Sequence, residues 1–176
     1  RAELSAAGHQ FHSRCDTEVV MEAYRHWGAD CVQHLRGMFA FGVYDFRDER
    51  LLLARDRFGI KPLYFARIDG VIVFASRIAA ILEPPHAVRG PNLKVASHFL
   101  TTFRITLGRE TMYDGIEQLQ PAECLICERG QRRFVRYWEP PRKTGDSLDY
   151  ESAAAELEAT LQDAVERRLV SDVPVG

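Results

Sequence analysis

The chain has 176 residues, of which 46% are hydrophobic and 27% charged, with a formal net charge of -2. That length can bury a sizeable core, so one compact domain is the starting expectation. The near-neutral charge gives no electrostatic basis for binding nucleic acid or an anionic membrane surface, and no apolar run approaches the roughly 20 residues that span a bilayer.

Glu3 to Ala7 reads as the tail of a helix ended by Gly8, followed by a short extended piece over residues 10–13. Asp16 is placed to cap a helix from Thr17 to Trp27, whose apolar stripe is Val19, Val20, Ala23, Tyr24 and Trp27. Gly28 stops it, and Asp30 opens a short second helix over residues 31–35. Residues 38–45 form a nearly continuous apolar run, the pattern of a strand buried on both faces. Residues 51–55 return as the second arm of a hairpin, and Gly59 and Pro62 punctuate the next turn. Residues 63–67 and 71–75 make another hairpin around Asp69-Gly70. A short helix over 78–82 runs up to Pro84-Pro85, and residues 94–103 are helical. Residues 111–115, 123–128 and 134–138 read as short strands, with a turn at Arg129-Gly130. Residues 139–149 are a polar stretch with two prolines and a glycine, which reads as a linker. A helix over 150–169 follows, with Leu157, Leu161, Val165 and Leu169 recurring every four residues.

Cys124 and Cys127 form a Cys-x-x-Cys, but no second ligand pair stands at metal spacing. On a strand, positions three apart point to opposite faces, so the reading is structural, with no metal site. Cys15 and Cys31 are scattered, nothing resembles a secretory leader, and a reduced, cytoplasmic setting fits best. The six histidines share no spacing that suggests a metal site or a triad, and each reads as a surface or packing residue.

Several phrases, in order, resemble one family. Ser13-Arg14-Cys15-Asp16-Thr17-Glu18-Val19 is similar to the Ser-x-x-Asp-Thr-Glu-Val segment of class II, N-terminal-nucleophile glutamine amidotransferases. Arg36-Gly37-Met38-Phe39-Ala40-Phe41, the run from Ala54 to Tyr64, and Phe74-Ala75-Ser76 follow as that family has them. Residues 168–176 resemble the approach to the pyrophosphate loop of glutamine-hydrolysing asparagine synthetases. Arg77 departs from the pattern, which usually has Glu there. Pattern alone says only mixed α and β; the resemblance implies an α+β fold, part of an αββα N-terminal-nucleophile glutaminase sandwich with the start of an α/β ATP-pyrophosphatase domain. It divides the chain into a glutaminase domain at 1–138 lacking its N-terminal part, a linker at 139–149, and the first helix and strand of a synthetase domain at 150–176.

The resemblance also implies a chemistry. An N-terminal cysteine, with its own α-amino group as base, attacks the side-chain amide of glutamine, and an oxyanion hole holds the developing charge. Ammonia then displaces AMP from an aspartyl adenylate. In the family layout the nucleophile and the oxyanion hole precede Arg1 and the phosphate loop follows Gly176, so no catalytic residue is expected within the chain, and the chain alone is expected to be inactive. ATP and Mg²⁺ belong to the parent enzyme, with glutamine, aspartate and ATP as its substrates and a homodimer left open. Asp16 matches the aspartate that binds the α-ammonium of glutamine; its bland reading is a helix cap. Arg55 and Asp56 are candidates for support of the site: either they pair beneath it and set its shape, or the Arg-Asp-Arg run is a solvated hairpin end. Two further readings stay open: a related amidotransferase with another carboxylate acceptor, and a non-catalytic, glutaminase-like interaction module.

Overall fold

The computed structural model describes residues 1–83, 90–141 and 149–169. It separates into two compact units, Arg1–Glu139 and Pro140–Gly176.

In the first unit, helix α1 (Ala2–Ala6) leads through a bent loop to α2 (Asp16–Trp27). Asp16 and Glu18 occupy the first turn of α2 and Arg25 its last, each sign complementing the helix dipole. A 3-10 turn at Gly28–Asp30 joins α2 to α3 (Cys31–His34). Strands β1 (Ala40–Asp45) and β2 (Arg50–Arg55) pair as an antiparallel hairpin, with Ala40 opposite Arg55 and Asp45 opposite Arg50. Next come β3 (Tyr64–Ile68), β4 (Val71–Ala75), α4 (Ile78–Leu82) and α5 (Leu93–Thr102). Strands β5 (Thr106–Leu107), β6 (Glu110–Thr111), β7 (Ile116–Gln118), β8 (Glu123–Glu128) and β9 (Gln131–Arg136) complete the unit.

These strands build two antiparallel sheets, one in the order β1-β2-β8-β9 and the other β4-β3-β7-β6-β5. The period-two alternation of the strands explains how they stack. On one face of the first sheet, Leu52, Ala54, Cys124 and Ile126 pack against Leu4, Ala23, Tyr24, Cys31 and Val32 of the helices. On its other face, Leu53 and Leu125 meet Leu63 and Phe65 of the second sheet. Beyond that sheet, Ala66, Ile68 and Ile116 close on Ile81 of α4. Helices, sheet, sheet and helix therefore follow one another in four layers.

Several expectations shift. Asp16 is the first helical residue and Cys15 the cap, without a side-chain capping bond. The strand at 38–45 begins at Ala40 and is not buried on both faces. It lies at the outer edge of its sheet, and Met38 and Tyr44 are exposed. Residues 111–115 split into the end of β6 and a turn, while β5 and β7 carry no sequence pattern because strands of two and three residues show no periodicity. The Pro84-Pro85 stop and the phosphate-loop approach at 170–176 lie outside the described residues.

In the second unit α6 (Tyr150–Glu166) is capped by Asp149, whose carboxylate accepts from the Ser152 N–H at 3.0 Å. Its stripe of Leu157, Leu161 and Val165 is exposed. No described helix is long and apolar enough to cross a membrane.

Candidate functional site

The segment that enters α2 is held by one carboxylate. Glu18 accepts the His12 N–H at 2.7 Å, the Ser13 N–H at 2.8 Å and the Ser13 hydroxyl at 2.7 Å. These bonds hold its pKa down at about 2. Ser13 Oγ in turn accepts the Cys15 N–H at 3.1 Å, and Arg1 donates to the Cys15 carbonyl at 3.1 Å. Asp16 emerges from this arrangement exposed, at the positive end of the helix, and among the described residues its carboxylate makes no hydrogen bond or ion pair. The capping role that competes with ligand binding is thus not one that Asp16 performs.

The second element is the turn at 56–62. Arg55 is 7% and Asp56 1% exposed, so the run is not a solvated hairpin end. Nor do the two side chains spend their polar atoms on each other. Arg55 donates to the carbonyls of Gly59 at 2.5 Å, Leu119 at 2.6 Å and Lys61 at 2.7 Å. Asp56 accepts from the N–H groups of Phe58, Ile60 and Lys61 at 3.2, 3.0 and 3.0 Å. Cation and anion each solvate one polarity of the backbone at 58–61, which fixes its path, and the third Arg55 bond ties that turn to Leu119. Burial pushes the Asp56 carboxyl up, but the N–H bonds from Lys61, Ile60 and Phe58 outweigh it and leave the pKa below its ordinary value. Gly59 has φ +64°, and a Cβ there would lie 2.9 Å from Pro121 and 3.0 Å from the Arg55 guanidinium carbon. Arg57 is turned elsewhere, donating to the carbonyls of Leu35 and Gln33 behind α3.

Between α2 and the edge strand β1 opens a cavity of about 1380 Å³. Thr17, Val20, Met21 and Tyr24 line it from the helix, residues 38–48 from the strand side, and Lys61, Pro62 and Ser76 also line it. Asp16 precedes the first wall residue, and the clamped turn delivers Lys61 and Pro62. The Tyr24 hydroxyl is buried there without a hydrogen-bond partner among the described residues. Among the described residues β1 pairs with β2 alone, so its other edge borders this cavity.

The other ionisable groups divide into packing and exposure. Cys124 faces the helices while Cys127 sits beside the inter-sheet core, as opposite faces of β8 require. Burial pushes the thiols of Cys31 and Cys124 up to about 11 and about 12. Exposed Cys15 is different: hydrogen bonds with the Thr17 hydroxyl and backbone hold its thiol below the ordinary value. Two histidines that share no spacing, His9 and His26, come into contact, and Trp27 lies between His26 and His34. His9 contacts Glu22 at 2.7 Å and His26 at 3.0 Å, and Trp27 stacks on His34 at 3.8 Å between ring centres. No group of three or more His, Cys, Asp or Glu side chains among the described residues could hold a metal ion.

Residues 1–138 match the family described as glutamine amidotransferase domain. The chain belongs to that family. This glutamine amidotransferase domain is 38% identical, over 99% of the chain, to asparagine synthetase [glutamine-hydrolyzing] 3 of Bacillus subtilis. It is 32% identical over 97% of the chain to the amidase chyE of Penicillium rubens. The chain spans 28% and 25% of the lengths of these two relatives. Among solved structures it is similar to the glutamine phosphoribosylpyrophosphate amidotransferase of B. subtilis complexed with ADP and GMP, with a TM-score of 0.52 and 19% identity. That likeness covers 79% of the chain and 26% of the neighbour, and shows the shared fold.

Proposed function

We propose that this domain forms part of the glutamine site of an ATP-dependent asparagine synthetase that releases ammonia from glutamine and transfers it to aspartate through an adenylate. The carrying observation is the Asp16 carboxylate, unheld among the described residues in the first turn of α2, directly after a loop that is itself pinned. A fixed anion there suits the α-ammonium of glutamine, and a charge-assisted bond to it discriminates against amides that lack the amine. No cysteine of the chain serves as nucleophile in this reading. Cys31 and Cys124 are buried and Cys127 half-buried, all with raised thiols, and in Cys15, as in the other three, the α-nitrogen is locked in a peptide bond and is no base. ATP and Mg²⁺ would act in the synthetase part, in a cytoplasmic enzyme.

Aspartate as acceptor is supported by the relative at 38% identity. A second reading, another carboxylate acceptor, stays open because the chain is also 32% identical to a relative named as an amidase and not as an asparagine synthetase. The test is ATP-dependent amidation by the full polypeptide that the parent gene encodes, with glutamine as donor. Asparagine formed from aspartate is the expected product. Glutamine hydrolysis with aspartate left untouched would transfer the assignment to the second reading.

A further inference from the structure

We propose that Glu18 is the positioning residue of the glutamine site, holding residues 12–15 so that Asp16 is presented to the α-ammonium of glutamine. This rests on the reading of Asp16 as the amine-binding carboxylate.

The geometry separates Glu18 from an ordinary helix-end residue. A carboxylate at the third helical position commonly turns back to the N–H of the capping residue itself. Here the cap is Cys15, and its N–H goes to Ser13 Oγ. Glu18 reaches past it and spends both oxygens on His12 and Ser13, in the approach loop. A continuous path results: Glu18 fixes Ser13, Ser13 fixes Cys15, and Cys15 immediately precedes Asp16. Among the described residues the Asp16 carboxylate has no partner of its own, so its direction depends on the first turn of α2 and on the pinned backbone that leads into it. A bound ammonium then meets a carboxylate already in place, and the ordering cost that would weaken binding is largely met beforehand. Glutamine at position 18 keeps the shape but replaces one accepting oxygen by an NH₂ group, losing either the His12 bond or the Ser13 pair.

The test uses the full gene-encoded polypeptide and measures KM and kcat for glutamine, with ammonia-driven synthesis as a parallel readout. Asp16→Ala should raise KM for glutamine about 100-fold, the loss of a charge-assisted contact. Glu18→Gln should raise it about tenfold and Ser13→Ala about threefold, with kcat changed less than about twofold. In the Asp16→Ala background, Glu18→Gln should add less than about twofold, because it acts through Asp16. The proposal is overturned if Glu18→Gln and Ser13→Ala both leave KM unchanged while Asp16→Ala raises it. It is equally overturned if the Glu18 and Asp16 effects multiply, or if glutamine- and ammonia-driven rates fall together. A silent Asp16→Ala would instead refute the underlying reading of Asp16.

Discussion

Replacing Arg55 by lysine tests whether the turn at 56–62 is held as described. Arg55 donates three short bonds to carbonyls of Gly59, Lys61 and Leu119 from a site that is 7% exposed. A planar guanidinium serves all three at once, whereas an ammonium on a shorter stem reaches one. Each bond to a charged donor is worth about 1.5–3 kcal/mol net. Losing two, with partial recovery by water, predicts a destabilisation of about 3 kcal/mol, a large share of the roughly 5–15 kcal/mol that holds a domain together. Urea unfolding followed by tryptophan fluorescence is a suitable assay, because Trp138 packs edge-on against Phe58 in the same turn. With a slope of about 2 kcal/mol per molar urea, the midpoint should fall by about 1.5 M at unchanged slope. A fall below about 0.5 M would refute the clamp, for the carbonyls would then be satisfied without Arg55.

Gly59→Ala should cost about 2–3 kcal/mol, from a positive φ and from a Cβ pressed between Pro121 and Arg55; a melting point unchanged within a degree would contradict this. The Glu18 carboxyl has a folded pKa of about 2, below its unfolded value, so its bonds stabilise the loop at pH above about 4.5 and are lost as pH falls toward 2. Amide exchange at His12 and Ser13, corrected for intrinsic rates, should accelerate across that window, and a flat profile would show that Glu18 does not hold them. Iodoacetamide near pH 8 should label Cys15 first and Cys31 and Cys124 only on unfolding, as their exposure and thiol shifts dictate. Mapping the alkylated peptides by mass spectrometry checks the order.

Much of the fold was legible where local chemistry is decisive. Asp69-Gly70 and Arg129-Gly130 stand at positive φ and join β3 to β4 and β8 to β9, as turn residues between apolar runs predict. The edge position of β1 was not legible, since an apolar run states that side chains are buried somewhere and not which neighbours a strand has. The burial of Arg55 and Asp56 was hidden for a related reason: their partners are backbone carbonyls and N–H groups, which carry no residue signature. Cap position decided the fate of Asp16. A shift of one residue turns a capping carboxylate into an unheld one, and helix ends are set by hydrogen bonding that sequence locates only to within a residue or two. The contact of His9 with His26, and the stacking of Trp27 on His34, depend on how the loop after α1 and the helices α2 and α3 pack, and no spacing along the chain encodes them.

The most direct test of the glutamine-site assignment is the donor preference of the full gene-encoded polypeptide carrying Asp16→Ala. Glutamine-dependent product formation should fall about 100-fold in kcat/KM, while synthesis from free ammonia continues at its normal rate. Unchanged use of glutamine would contradict the account, because the unheld carboxylate at the start of α2 would then play no part in binding the amide donor.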